Sequence, residues 1–138
     1  MITLIVGKKG TGKTKKLIER ANEAVNTSNG NVVVIEKGSK LTYDLSHKAR
    51  LVNIEDYGIK SVDALHGFIS GLCAANYDIT DIFVDSTLKI VGQDLSLLPG
   101  LFEKLSEVAV LADTKITLLV SADESELPAG INSVVEKI

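Results

Sequence analysis

The chain contains no tryptophan, one cysteine, two prolines and only six aromatic residues among its 138 residues. A lone cysteine, Cys73, cannot form an internal disulfide, which favours a reducing compartment and predicts a cytoplasmic protein. Six aromatic residues are too few for a surface that stacks nucleic-acid bases. Eighteen acidic against fifteen basic residues also exclude a generally basic nucleic-acid-binding protein. No apolar run reaches the roughly 20 residues that cross a membrane, so no membrane association is expected.

Apolar residues make up 45% of the chain and charged residues 24%, which is typical of a folded globular protein. This length predicts one domain over residues 1–138. Short apolar runs, typical of buried strands, alternate with stretches of helical periodicity. The predicted strands are 2–6, 32–35, 82–84, 116–120 and 133–138, with a further short one at 51–54, and the predicted helices are 13–25, one from Ser61 and one from about Pro99. This alternation predicts a three-layer α/β domain with a largely parallel sheet.

Residues 7–14 read Gly-Lys-Lys-Gly-Thr-Gly-Lys-Thr and fit the pattern G-x-x-x-x-G-K-[ST] at every fixed position. Glycines allow a tight turn whose backbone N–H groups point at phosphate oxygens, and the following helix adds its positive end. Lys13 can reach the β- and γ-phosphates, and the Thr14 hydroxyl can bind Mg²⁺. The predicted nucleotide-binding residues are Gly7, Lys8, Lys9, Gly10, Thr11, Gly12, Lys13, Thr14 and Lys15.

Asp85 directly follows the apolar strand 82–84. Ligands of parallel α/β sheets bind at the carboxyl ends of the strands, where this carboxylate is expected. Asp85 is therefore predicted to hold Mg²⁺ together with Thr14. The alternative is an ordinary acidic residue in a turn.

These residues resemble the P-loop nucleoside triphosphatases, with residues 7–14 as Walker A motif and Asp85 as Walker B aspartate. The strand 32–35, between the two motifs, makes the chain similar to the RecA-like branch. That resemblance implies the three-layer P-loop fold, with a mostly parallel five-stranded sheet in the order 5-1-4-3-2. It also implies Mg²⁺ and ATP as ligands, and homo-oligomers, since related ATPases often complete their sites between subunits.

The same resemblance implies two further site residues. Members of the branch carry a catalytic glutamate that polarises the attacking water. Ser86 occupies its usual place after the aspartate, and Glu36, at the end of the second strand, matches the alternative place. Ser121 ends the fourth long strand, where the branch often has a residue that senses the γ-phosphate. The alternatives are a solvated strand-end glutamate and a plain strand-end serine.

Most of the chain also resembles short bacterial proteins labelled twitching-motility or pilus-retraction ATPases. The stretches 37–44 and 123–128 carry this similarity. The 138 residues include neither the additional domain nor the histidine- and aspartate-rich boxes of the full-length family. The protein partner is left open by this resemblance.

The predicted function is that of an Mg-ATP-binding protein and weak ATPase, with Lys13 and Glu36 as catalytic residues. One alternative is a nucleotide-dependent switch or scaffold without useful turnover, which Ser86 after Asp85 keeps open. Another is a small-molecule kinase, for example of nucleosides or nucleotides, which two arginines and short loops disfavour. A GTPase is disfavoured because the Asn-Lys-x-Asp guanine signature is missing.

Overall fold

Strands and helices alternate along the computed structural model, which describes residues 2–131 and 134–138. The strands are β1 (Ile2–Gly7), β2 (Asn31–Glu36), β3 (Arg50–Asn53), β4 (Ile79–Val84), β5 (Lys115–Ser121) and β6 (Val134–Lys137). The helices are α1 (Lys13–Thr27), α2 (Val62–Ala75), α3 (Thr87–Val91) and α4 (Leu98–Ala112). Short 3₁₀ turns cover Ile54–Tyr57, Leu95–Leu97 and Glu124–Glu126. The predicted α/β class is confirmed.

The strands form one sheet in the order β3-β2-β4-β5-β1-β6, and every neighbouring pair is parallel. The prediction of five strands in the order 5-1-4-3-2 is therefore wrong in strand count and in order. The difference comes from β3, which pairs with the outer side of β2 and buries Val52 against the core. The other five strands follow one another as β2-β4-β5-β1-β6.

Successive strand residues point to opposite faces of the sheet, and both faces are covered. In β1, Leu4 and Val6 belong to one buried cluster and Ile5 to another. The cluster around Ile5 includes Leu17 and Ala21 of α1. The cluster around Leu4 takes its helical members from α2, α3 and α4. The sheet is thus a central layer between helices, as the three-layer prediction requires.

Local signals explain where the helices begin. The Ser61 hydroxyl accepts a hydrogen bond from the Ala64 N–H at 3.1 Å and caps α2, while Pro99 lies in the first turn of α4. The five-residue helix α3 was not predicted, because it is too short to show a helical period. The predicted strand 133–138 corresponds to β6, and Ser133 lies outside the described residues.

The long connection from β2 to β3, residues 37–49, is held against α1. The Asn22 side chain donates to the Asp44 carbonyl at 3.1 Å and accepts from the Ser46 N–H at 2.8 Å. Leu41 and Leu45 are buried in the same cluster as Leu17. The connection, which the structure describes throughout, contains no helix or strand, and the anchoring explains how it keeps a defined position at the carboxyl edge of the sheet. Across the described residues, the structure contains no helix with the length and apolar character that crossing a membrane requires.

Candidate functional site

The loop between β1 and α1, residues 8–12, turns through two glycines with positive φ. Gly10 has a φ of 84° and Gly12 a φ of 93°. This region of conformational space is strained for residues with a Cβ, so the two glycines of the pattern supply a backbone shape that other residues resist. The predicted tight turn is present at the predicted place.

Gly7 has a different requirement, which is space. A Cβ at this position would lie 2.6 Å from the Thr11 hydroxyl oxygen and 2.9 Å from the Ile138 carbonyl oxygen. Both distances are shorter than real Cβ contacts, so the loop can fold back over the end of β1 only because the side chain is missing. Gly7 and Thr11 therefore pack against each other, and neither lines the cavity that Lys13 and Asp85 border.

Three donors converge on the carbonyl oxygen of Lys8 and fix the loop. The Thr11 N–H donates to it at 3.3 Å, the Thr11 hydroxyl at 2.7 Å and the Lys13 ammonium at 2.9 Å. Lys13 is only 7% exposed, and burial lowers the pKa of its ammonium group, while the charge of Asp85 opposes that shift. The lysine of the motif is thus held inside the loop by a bond that a phosphate oxygen could replace.

The first turn of α1 offers further donors. Gly12 occupies the N-cap position and provides no side chain to accept hydrogen bonds from the first helical N–H groups. An uncapped N-terminus carries a partial positive charge and favours an anionic ligand. Lys15, one residue further along this turn than Thr14, is exposed and lies outside the cavity lining.

Thr14 and Asp85 come together although they lie on different elements. The Thr14 hydroxyl donates to Oδ1 of Asp85 over a long 3.5 Å. The Asp85 N–H donates to the Ile35 carbonyl at 2.9 Å, which continues the pairing of β4 with β2 past the end of the strand. Burial raises the pKa of the Asp85 carboxyl, and hydrogen bonds from Ser86 and Thr14 partly offset this.

Glu36 is at the predicted edge of the sheet, but it is not a solvated residue. It is 3% exposed, and its two carboxylate oxygens accept hydrogen bonds from the backbone N–H groups of Lys40 at 3.1 Å and Leu41 at 3.0 Å. Its carboxylate therefore holds the start of the 37–49 connection. Each oxygen keeps one further lone pair, so a role in orienting water stays a prediction.

Ser121 ends β5 opposite Gly7 in the parallel register with β1. It is exposed and lines the same cavity as Lys13 and Asp85. The role in sensing a γ-phosphate stays a prediction, since this placement is also that of an ordinary serine at a strand end.

A cavity of about 680 Å³ joins these residues. Its lining includes Lys8, Lys9, Gly10, Gly12, Lys13, Thr14, Glu36, Asp85 and Ser121. It also includes charged residues that the sequence analysis did not assign to a site: Lys37, Lys40, Lys89, Asp123 and Glu126. The signal that could have found them is position, because all five follow the carboxyl end of β2, β4 or β5 within a few residues.

Some charged residues are placed away from the cavity. Arg20 pairs with Glu136 through both of its terminal nitrogens and ties α1 to β6. Arg50 lies on the edge strand β3 and borders a separate, smaller cavity of about 180 Å³. Neither arginine lines the 680 Å³ cavity. Among the described residues, no three His, Cys, Asp or Glu side chains gather into a group that could hold a metal ion.

No family model matches the chain, and no curated protein matches it. The case for a function therefore rests on the residues of the cavity. They combine a glycine-rich turn, a buried lysine and an uncapped helix N-terminus with a hydroxyl–carboxylate pair. The first three attract phosphate groups, and the pair supplies the hard oxygen ligands that Mg²⁺ prefers.

Proposed function

We propose that the protein binds Mg-ATP in the 680 Å³ cavity and hydrolyses its β–γ phosphoanhydride bond slowly. One observation carries the proposal. The loop of residues 8–12 brings the buried Lys13 ammonium and the N-terminus of α1 to the same cavity as Thr14 and Asp85. Each of these features is common alone, whereas their combination matches the needs of a triphosphate with its metal ion.

Two of the chain's own side chains would hold a magnesium ion. The Thr14 hydroxyl and the Asp85 carboxylate are hard oxygen donors within hydrogen-bond reach of one another. Two protein ligands are enough, because Mg²⁺ in nucleotide sites keeps several waters and takes its other ligands from the phosphates. When bound, the ion neutralises charge that develops on the β- and γ-phosphate oxygens.

Phosphate binding would exchange hydrogen bonds within the loop. Lys13 donates to the Lys8 carbonyl and would transfer this bond to a phosphate oxygen, while the Thr11 donors keep the loop in shape. In hydrolysis, a water oxygen bonds to the γ-phosphorus, and the bond from that phosphorus to the β–γ bridging oxygen breaks. ADP leaves with the electron pair, and the water gives up a proton. We assign the orientation of this water to Glu36.

Nucleotide-dependent thermal stabilisation tests the binding part of the proposal. Mg-ATP at a hundredfold excess over its Kd should stabilise the parent by about 2.7 kcal/mol. Lys13→Ala should abolish the shift. Lys115→Ala is the matched control. This exposed lysine begins β5, so it lies at the amino ends of the strands, away from the cavity at their carboxyl ends. A parent that shows no shift with millimolar ATP and Mg²⁺ contradicts the proposal.

A specific observation favours a second candidate, a nucleotide-dependent switch without useful turnover. Both oxygens of Glu36 already bind backbone N–H groups, and Ser86 stands after Asp85 where a glutamate is common in related ATPases. Measurement of phosphate release with Mg-ATP, with and without candidate acceptors, separates the candidates. Binding without release supports the switch, and transfer to an acceptor supports a kinase.

The single cysteine is consistent with action in the reducing cytosol.

A further inference from the structure

Three lysines that belong to no phosphate-binding motif border the cavity beyond Asp85. We call Lys37, Lys40 and Lys89 the lysine cluster. Lys37 and Lys40 begin the connection that follows β2, and Lys89 lies in α3, four residues after Asp85. All three side chains are exposed, and all three line the cavity.

The backbone that carries the cluster is anchored close to each lysine. The Glu36 carboxylate accepts from the Lys40 N–H, and the Asn53 side chain accepts from the Gly38 N–H at 2.9 Å. The Lys37 ammonium donates to the Lys89 carbonyl at 3.3 Å, which joins the connection to α3 across 52 positions of sequence. Two separate segments of chain are thus held together at the point where their lysines meet the cavity.

Within the part of the chain that the structure describes, no lysine of the cluster forms a close ion pair with a carboxylate, and Lys89 acts on Asp85 only through its charge at longer range. The ion pairs found there join Lys8 to Asp123, Arg20 to Glu136 and Lys104 to Asp63. The acidic residues of the cavity have other partners, since Glu36 binds backbone N–H groups and Glu126 accepts from the Asp123 N–H at 2.9 Å. Gathering like charges is unfavourable, so a cluster of this kind is better explained by an anionic ligand than by the fold.

The position of the cluster indicates which part of a nucleotide it would meet. A P-loop binds the phosphates with its backbone, and its lysine reaches the β- and γ-phosphates. Thr14 and Asp85 would hold the magnesium ion, which would neutralise charge on these phosphates. Lys37 and Lys40 follow β2, which lies beside β4 on the side away from β5 and β1. The loop of residues 8–12 follows β1, so the cluster lies on the opposite side of Asp85 from that loop, where a phosphate that extends past Thr14 and Asp85 would end.

We propose that the lysine cluster is a subsite for the terminal phosphate of a nucleoside triphosphate, supplied within one chain. This deepens the proposed function and rests on it. The subsite distinguishes a triphosphate from a diphosphate. It provides the positive charge that other phosphoryl-transfer proteins take from an arginine, and neither arginine of this chain reaches the cavity.

Titration calorimetry with Mg-ATP and Mg-ADP tests this subsite at one fixed ionic strength. The variants are Lys37→Ala, Lys40→Ala and Lys89→Ala, and the matched control is Lys48→Ala. Lys48 is exposed on the same connection and lies outside the cavity lining. Fixed ionic strength matters because screening alone changes phosphate affinity.

Each cluster variant should bind Mg-ATP about tenfold more weakly than the parent and Mg-ADP within about twofold of it, the loss expected for one charge-assisted bond. Lys13→Ala should weaken both nucleotides, and Lys48→Ala neither. Equal losses for ATP and ADP overturn the subsite, because they indicate a general effect of charge.

Two further outcomes keep the subsite and the proposed function distinguishable. If the parent binds both nucleotides and the cluster variants behave like Lys48→Ala, the subsite is overturned and Mg-ATP binding stands. If the parent binds neither nucleotide, both proposals are overturned. Thermal melts without nucleotide should give the parental Tm for Lys40→Ala, Lys89→Ala and Lys48→Ala, because these side chains are exposed.

Discussion

The Thr14 hydroxyl donates to Oδ1 of Asp85 over 3.5 Å, although 71 positions of sequence separate the two residues. The contact joins the first turn of α1, which follows β1, to the residue after β4. β5 lies between these two strands in the sheet. A hydroxyl and a partly buried carboxylate brought together in this way are the hard oxygen ligands that a magnesium ion prefers. The same burial makes the ionised carboxylate costly when no cation is bound.

Asp85→Asn should therefore stabilise the free protein and impair metal-dependent binding. The raised pKa of Asp85 means that the protonated form is favoured in the fold, so stability falls as pH rises through that pKa. Asparagine removes this cost. The variant should melt at a higher temperature than the parent at pH 7, and the difference should vanish in acid.

The affinity of Asp85→Asn for Mg-ATP should fall by at least the roughly 10–100-fold that removal of an outer partner of a metal site costs. Calorimetry with and without Mg²⁺ measures this. An unchanged metal dependence would show that Asp85 is not a ligand.

Two glycine-to-alanine variants should have effects of opposite sign. Gly12→Ala places a Cβ at φ 93° and should lower the free energy of unfolding by about 1 kcal/mol or more. Gly67→Ala lies within α2, where a Cβ would meet no atom within 4 Å, and should raise it by about 0.5–1 kcal/mol. Urea unfolding measures both. A neutral Gly12→Ala would argue against the left-handed turn.

Glu36→Gln separates a catalytic role from a structural one. The Gln side chain keeps one acceptor oxygen and turns its NH₂ group toward the N–H of Lys40 or Leu41, so stability should fall by about 1–3 kcal/mol. If Glu36 also orients the water, turnover should fall by about 10²–10⁴ while ATP affinity persists.

The control for Glu36→Gln is Glu19→Gln, which changes an exposed carboxylate of α1. It should alter neither quantity. Lower stability with parental turnover would leave Glu36 as a residue that only positions the 37–49 connection.

The pair between Arg20 and Glu136 should contribute modestly to stability. Each side chain is about one-third exposed, so a double-mutant cycle with alanine should give a coupling of about 0.5–1 kcal/mol that decreases with salt. Arg20 lowers the pKa of the Glu136 carboxyl. The contribution is therefore present above the unfolded pKa of that carboxyl and is lost as pH falls through the lowered one. A coupling that does not decrease as the pH is lowered would contradict this.

Several helices, strands and turns could be predicted from residues that are neighbours in the sequence. The strand, glycine turn and helix around residues 7–14 follow from neighbouring residues, and so do the Ser61 cap and the Pro99 start. The short strand predicted at 51–54 corresponds to β3, but its place at the edge of the sheet beside β2 depends on long-range pairing that local patterns do not show. Position after a strand end places Lys37 and Lys89 at one edge of the sheet, but their contact with each other is visible only in the fold.

The three hydrogen bonds to the Lys8 carbonyl have a consequence for the thermodynamics of ligand capture. Two of them come from Thr11 and do not involve the group that would move to a phosphate. The loop of residues 8–12 is therefore held in its shape before a phosphate binds, and no stretch of backbone has to fold around the anion. Association should show a small heat-capacity change, unlike the large negative one that accompanies the folding of a disordered loop on its ligand.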